Sequence, residues 1–289
     1  MTLLGVVVAL AFALGGLTAL RGAGRRWTAA SAALVERLRA GAVASRATTI
    51  PTAFAPAELA GLPAPVARYL GAVLPPGQRP IRHARVTWAG EFNLGRPGAE
   101  RWVRFTAVQD FEPEAPGFVW DARMAMVPGV EVWVRDRLVA GEAEMRGAVA
   151  ALVPVVKVRG TAPLASAALV RYLGETVWLP TALLPASGVR WEALEADAAR
   201  ATLAAGATTV SLDFRFGADG LVTSLFASER SFDDGKHPPE PRPWRARILA
   251  WEERHGVTVP SEAVAEWLLP QGAFPYWKGR VLGVDYELA

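Results

Sequence analysis

The chain has 289 residues, 52% of them hydrophobic, with 11 Trp, 22 Pro, 27 Gly, no Cys and a net charge of +3. This composition excludes a disordered, collagen-like or disulfide-stapled protein. The missing cysteine also excludes thiol catalysis, cysteine-bound zinc and a lipid anchor carried on a cysteine.

The apolar and basic character is concentrated at the start. Residues Thr2 to Leu20 form an uncharged run, TLLGVVVALAFALGGLTAL. As a helix this run reaches roughly 28 Å, near the thickness of a bilayer core, and residues 1–20 are expected to be a transmembrane anchor. A cleavable signal peptide would need a basic segment before the run and a small-residue cleavage site after it. Only Met1 precedes the run, and Leu17 and Arg21 stand where small residues are required. The first fifty residues carry a net +5, which leaves −2 for the remainder. The high isoelectric point therefore gives no argument for nucleic acid as a partner. Arg21, Arg25 and Arg26 follow the apolar run and are expected at a membrane surface. By the positive-inside rule they place the large domain on the cytoplasmic side of the cell membrane.

Residues 21–54 are expected to form a basic juxtamembrane helix and linker. In WTAASAALVERLRAGAVASR, Leu34, Val35 and Leu38 share one helical face, opposite Glu36, Arg37 and Arg39. Such a helix can lie on anionic lipid, act as a spacer or dock on the domain, and the sequence does not choose among these. A single domain is expected over residues 55–289. A short helix in LPAPVARYLGAVL opens it, and from Ile81 the period changes to two. Val86, Trp88, Phe92 and Leu94 share one face, as do Val103, Phe105, Ala107 and Phe111. Further strands are expected at 118–125, 130–135, 138–145, 189–194, 198–203, 244–251 and 280–288. The clearest hairpin joins Val210–Phe216 to a returning strand through Asp219-Gly220. Helical patterns recur near 163–174 and at 260–267.

About ten strands with short connections and no alternating βαβ units predict a mainly β (α+β) fold. It is a large curved antiparallel sheet, or half-barrel, covered by a few helices. Its apolar face must be filled by helices or enclose an apolar cavity. PVARYLGAVLPP at 65–76 echoes ALVRYLGETVWLP at 168–180. The echo marks either two helix ends terminated by glycine, or two equivalent plugs whose Arg68 and Arg171 pair with carboxylates inside.

LPAPVARYL at 62–70, PGFVWDA at 116–122, GEAEMRG at 141–147, RYLGETVWLPTALL at 171–184, PW at 243–244 and GVTVPSEAVAEW at 256–267 stand in a specific order. Together they resemble an uncharacterised bacterial family of membrane-anchored proteins, a domain of unknown function. Ala143 departs from the family's Gly-Glu-Gly-Glu-Met pattern. The resemblance implies no activity. The architecture is also loosely similar to lipoprotein-carrier half-barrels, which hold acyl chains in a concave face; that likeness concerns fold and not function.

Signals for catalysis are poor. No G-x-S-x-G, Walker loop, G-x-G-x-x-G or H-E-x-x-H is present. His83, His237 and His255 are isolated in sequence. Asp233, Asp234 and His237 have metal-ligand chemistry but sit in SFDDGKHPPEP, a turn-forming stretch, so neither a metal nor another cofactor is expected. Glu175 follows Arg171 by four residues beside Trp178 and Leu179, the spacing of a helical ion pair. Trp88, Trp102, Trp120, Trp133 and Trp191 lie in strand candidates, where aromatics serve as core or line an apolar pocket. The candidate ligand-binding residues are accordingly Arg171, Glu175, Arg230, Trp88, Trp120 and Trp191, with no catalytic residue assigned.

The expected function is a membrane-anchored β domain that binds a lipid or other hydrophobic molecule. Two alternatives stand beside it: a hydrolase-like enzyme acting on a membrane-derived substrate, and a non-catalytic module for another membrane protein. The expected partners are thus the membrane and a hydrophobic small molecule.

Overall fold

The computed structural model describes residues 3–45, 52–232 and 238–289. Within the first helix, side chains are described from Gly15 to Val43 except Leu17. Alternating residues mark most of the first six strands, β1 (Ile81–Asn93), β2 (Trp102–Glu112), β3 (Gly117–Val127), β4 (Val130–Val139) and β5 (Glu142–Val149), but not β6 (Val153–Arg159). The second half contributes β7 (Arg190–Glu195), β8 (Ala198–Ala205), β9 (Thr208–Phe216), β10 (Val222–Phe232), β11 (Glu240–Arg254), β12 (Val257–Leu269) and β13 (Gly272–Leu288). They form one antiparallel sheet in the order β6-β5-β4-β3-β2-β1-β13-β12-β11-β10-β9-β8-β7.

Three helices accompany the sheet: α1 (Leu3–Ser45), α2 (Ala64–Val73) and α3 (Ala162–Glu175). After α3 the chain passes through 3-10 turns at Thr176–Trp178, Pro180–Leu183 and Pro185–Ser187. α3 touches β3, β4 and β5 as well as β9 and β10. In the sheet order β4 and β9 are eight strand spacings apart, about 38 Å if the sheet were flat. A helix about 10 Å wide can reach both only if the sheet curls around it. The expected half-barrel is therefore present, and its concave face is filled. Val86, Trp88, Phe105, Phe118 and Trp120 on one side, and Leu212, Phe214 and Leu225 on the other, share one core with Tyr69, Leu70, Tyr172 and Leu173 of α2 and α3.

The echoed helices both enter this core. Tyr69, Leu70, Tyr172 and Leu173 are at most 1% exposed. Their glycines do not end the helices, since α2 and α3 continue past Gly71 and Gly174. Gly174 instead permits close approach: a Cβ there would stand 3.3 Å from Leu212 and 3.4 Å from Leu225. The expected equivalence of the two arginines does not hold, because Arg68 is exposed.

Three expectations about the strands are corrected. The sheet has thirteen strands where about ten are read from the sequence, and β6 carries no alternation to reveal it. Residues 138–145 are not one strand: Ala140 and Gly141, at φ +53° and +75°, turn the chain from β4 into β5. Residues 260–267 are not helical but lie inside β12, where pairing with β11 and β13 overrides the local pattern. Ala143, the departure from the family pattern, is buried within β5.

α1 runs unbroken across the boundary expected at residue 20. The linker residues 46–51 and most of the expected anchor's side chains, residues 1–14, lie outside what is described. Among the described residues no helix is long and apolar enough to cross a membrane. From Ala23 onward α1 docks on the convex face of the sheet. Ala23, Trp27, Ser31, Val35, Leu38 and Ala42 are buried, a stripe spaced by three and four. Val35 and Leu38 pack on Val119 and Val139. Trp27 donates from Nε1 to both carboxylate oxygens of Asp121, at 3.0 and 3.2 Å. The Trp27 ring also lies under the Arg135 guanidinium, 4.5 Å from its centroid.

Gly90 pairs with Gly279 and Phe105 at the middle of the sheet. A Cβ there would stand 2.0 Å from the Lys278 carbonyl oxygen and 2.8 Å from the Phe105 ring. Gly90→Ala is expected to destabilise the protein by about 3 kcal/mol, measured as a lowered urea midpoint.

Candidate functional site

The polar groups inside the half-barrel gather along α3. Thr161 caps this helix, its hydroxyl accepting from the Leu164 N–H at 3.3 Å, and the helix carries Arg171 and Glu175 one turn apart. Arg171 Nε donates to Glu175 Oε1 at 2.9 Å, and its Nη1 reaches Asp136 Oδ2 on β4 at 2.7 Å. Gln109 of β2 donates to the other Glu175 oxygen at 2.7 Å. The guanidinium lies over Phe118 at 4.7 Å and Trp120 at 5.3 Å from the ring centroids. Burial opposes the charge on Arg171, but Glu175 and Asp136 more than offset it and hold its pKa above the usual arginine value. Burial pushes Glu175 above the ordinary carboxylate range, while Arg171 and Gln109 pull it part of the way back.

Two carboxylates do converge here, as a hydrolase would need. Both are held by the same arginine beneath packed helices and do not face an open polar cleft. The expected ion pair between Arg171 and Glu175 is present, and Asp136 and Gln109 join it across a distance that sequence spacing cannot show.

Arg230 approaches the same helix from β10. It donates to the Ala167 carbonyl at 3.4 Å and to the Tyr276 hydroxyl at 3.1 Å. Trp244 Nε1 donates to the same hydroxyl at 3.0 Å, and the Arg230 guanidinium sits 4.9 Å from the Trp244 centroid. A chain of rings leads along the concave face to the Arg171 guanidinium. Trp88 meets Trp178 at 4.9 Å and Trp277 at 5.5 Å; Trp277 meets Phe105 at 6.2 Å, and Phe105 meets Trp120 at 5.8 Å. The indole N–H groups of Trp88 and Trp120 are buried and have no hydrogen-bond partner among the described residues.

The structure thus brings together five of the six predicted ligand-site residues, Arg171, Glu175, Arg230, Trp88 and Trp120. Trp191 is elsewhere: it packs on Phe214 at 4.9 Å and donates to the Leu183 carbonyl. Arg21, Arg25 and Arg26 are exposed on α1, on the convex side of the sheet.

Sequence reasoning missed a second polar cluster, on the convex face. His83 Nε2 contacts Asp110 Oδ1 at 3.0 Å, and its Nδ1 lies 3.8 Å from Glu112 Oε2. Arg85 also donates to Asp110, at 3.0 Å. Burial works against a charged His83, yet Asp110 and Glu112 outweigh it and push its pKa up to about 9. Burial likewise raises Glu112, with His83 opposing it. For Asp110, burial is overcome by the hydrogen bonds from His83 and Arg85, which hold it below the usual range. The available signal was alternation: His83 and Arg85, like Asp110 and Glu112, are two apart and face one side of their strands.

Two surface clefts lie outside the space between α3 and the sheet. One, of about 400 Å³, opens between Pro97–Gly98 and Gln271–Phe274. The other, about 20 Å³, lies beside Phe54, Gln78 and Thr181. Among the described residues no group of three or more His, Asp or Glu side chains is placed to hold a metal. The Asp233, Asp234 and His237 stretch falls outside them.

A family of unknown function (DUF6544) matches residues 52–279. No curated protein matches the chain. Similar solved structures include a DUF1329 family protein from Desulfovibrio piger, at 10% identity over 72% of this chain and 86% of that one, with a TM-score of 0.40. A LolA superfamily protein from Nitrosomonas europaea has 10% identity over 80% of this chain and 96% of that one, with a TM-score of 0.33. A beta-barrel-like protein of domain of unknown function DUF1849 from Brucella abortus has 10% identity over 72% and 99%, with a TM-score of 0.28.

Two outcomes are expected. Arg171→Met leaves Asp136 and Glu175 buried without their cation and lowers stability by about 3 kcal/mol in urea unfolding, whereas Glu175→Gln, with Asp136 still paired, costs less. The folded pKa of His83 lies above its ordinary 6.5, so its stabilisation is complete below pH 6.5 and is lost as pH rises through about 9. Urea midpoints of the wild type should therefore fall over that window relative to those of His83→Gln.

Proposed function

We propose, since this chain belongs to DUF6544, a family of unknown function, that its domain binds a hydrophobic chain such as a lipid acyl group at a membrane surface. The observation that carries this reading is the concave aromatic layer. Trp88 and Trp120 bury two indole donors without partners among the described residues, and Trp120 lies under Arg171, a charge already fixed in place. An unpaired buried N–H is unfavourable by about 1–3 kcal/mol, and the carbonyl or carboxylate of a ligand would relieve it. The apolar chain would lie along the rings from Trp88 to Trp120.

The segment Ala162–Ser187 occupies this face, so a ligand must displace part of it. α3 meets the β3–β5 side of the sheet through the polar layer of Arg171, Asp136, Glu175 and Gln109, and such a layer separates with less loss of apolar burial than a close-packed seam. The apolar run Thr2–Leu20 supports anchoring in a membrane. Arg21, Arg25 and Arg26 support a domain on the cytoplasmic side, which a reporter fused to the C-terminus would test; a periplasmic signal would reverse that orientation.

The filled interior favours a second reading, a non-catalytic module that presents its surface to another membrane protein. Native mass spectrometry of protein purified without detergent separates the two. The ligand reading expects a lipid-sized adduct, a change in tryptophan emission on titration with oleate, and several-fold weaker oleate binding by Trp120→Phe. A ligand-free spectrum together with unchanged emission would overturn it.

A further inference from the structure

All thirteen strands are antiparallel neighbours, so their turns divide between two rims. The turns β1–β2, β3–β4, β5–β6, β8–β9, β10–β11 and β12–β13 lie on one, here the upper rim. The turns β2–β3, β4–β5, β7–β8, β9–β10 and β11–β12 lie on the lower.

The docking of α1 gives these rims a direction. Gly41 lies against Ala115 in the β2–β3 turn, on the lower rim, where a Cβ would stand 3.8 Å away. Trp27 bonds Asp121 in mid-strand. Gly24 lies against Trp133, whose partner on β3 is Arg123. The N-terminal end of α1 therefore points to the upper rim. Val127 at the β3–β4 tip is four residues, about 13 Å, beyond Arg123, a rise that α1 covers in about nine residues. The tip is thus level with the helix around Gly15–Leu20, where the apolar run ends.

At that level the upper rim is apolar. Leu20, Leu94, Val127, Val130, Leu152 and Val153 are all exposed, by 38 to 56%, and four of them crown the adjacent β3–β4 and β5–β6 hairpins. The β5–β6 turn is closed by Ala150 and Ala151 at φ +49° and +60°. Asn-Gly is the usual choice for this backbone, and alanine there is strained by about 1 kcal/mol per residue. The turn thus accepts strain and forgoes the polar side chains that suit a tip in water. Charge differs between the rims in the same sense. Among the described residues, the lower turns carry Glu114, Asp197 and Asp219 with no Lys or Arg, and the upper turns carry Arg96 and Arg101 with Glu100; in sequence the β10–β11 connection adds Asp233, Asp234 and Lys236, which brings the upper turns to neutrality. Exposed Arg21, Arg25 and Arg26 follow on α1 below the level of the tip, between it and the height of Asp121 in mid-strand.

We infer that the upper rim is a membrane-contact face, with the β3–β4 and β5–β6 tips set in the interface of an anionic lipid bilayer. This rests on the anchoring reading proposed above and adds to it the surface by which the folded domain meets the lipid. Apolar tips with the arginines of α1 set about one to two nanometres further from the acyl chains suit the boundary between acyl chains and acidic headgroups, and the acidic lower rim is turned away from it.

The chain has no native cysteine, which permits single-site labelling. Full-length protein with Val127→Cys or Leu152→Cys on the upper rim, or Asp197→Cys on the lower, is labelled with an environment-sensitive nitrobenzoxadiazole fluorophore. Each is reconstituted into phosphatidylcholine–phosphatidylglycerol vesicles, and flotation establishes whether the chain is anchored. Labels at 127 and 152 should shift to shorter emission wavelength and be quenched several-fold more by doxyl-labelled lipid than the label at 197. Flotation with equal, water-like emission at all three sites overturns this inference and leaves the anchoring reading intact. Failure to float overturns both. A blue shift that depends on protein concentration and not on lipid also overturns it, in favour of contact between copies of the chain. Val127→Asp with Leu152→Asp, checked for native circular dichroism, should still float but weaken the quenching of a label at Val130→Cys.

Discussion

An open sheet thirteen strands wide has an apolar face that water will not tolerate, and the elements on its concave side answer to that constraint. The sheet curls until one helix can touch strands from both of its halves. The chain then supplies its own filling, α2, α3 and the three 3-10 turns that follow. Closing the sheet into a barrel would have removed its edges, but the filling segment Ala162–Ser187 connects β6 to β7, the two outermost strands. The connection that fills the interior is thus also what joins the edges. β6 bears Pro154, Lys157 and Arg159 among its four valines, features that discourage pairing with another chain.

The two faces use charge in opposite ways. On the concave side one arginine is surrounded by two carboxylates and an amide, with aromatic rings beneath it. Sliding α3 by a turn would part Arg171 from Asp136 and leave buried charges unpaired, which is strongly unfavourable. On the convex side the charges lie on the strands themselves, and α1 covers those of β3 and β4. Trp27 serves as the peg there: its N–H reaches Asp121, its ring takes Arg135, and Ser31 one turn later holds the same carboxylate at 2.5 Å.

What could be read from the sequence followed from local period. β9, with Val210, Leu212, Phe214 and Phe216 all facing in, was visible because strict alternation admits one interpretation. The docked stripe of α1 was visible only in part, since Leu34, Val35 and Leu38 marked a face without saying what it would meet. β6 was invisible because an edge strand exposed on both faces has no reason to alternate. The 260–267 segment misled because Glu262, Ala263, Val264, Ala265 and Glu266 favour a helix locally, and only its two neighbouring strands make it extended. In the site, Arg171 and Glu175 were legible as an i,i+4 pair. Asp136 and Gln109 were not, because contacts between residues dozens of positions apart leave no mark on spacing.

The continuity of α1 has a mechanical consequence. A flexible linker lets a domain tumble and sets only how far it can wander. A helix of 43 residues, stiff along its length and pegged by Trp27 and Ser31, instead fixes the reach and rotational phase of its N-terminal half relative to the sheet. Inserting or deleting a single residue between Leu20 and Ala23 would turn everything before it by about 100° relative to the sheet, without altering one contact of the domain. The protein's orientation is therefore encoded in the residue count of a helix as much as in the chemistry of its surface.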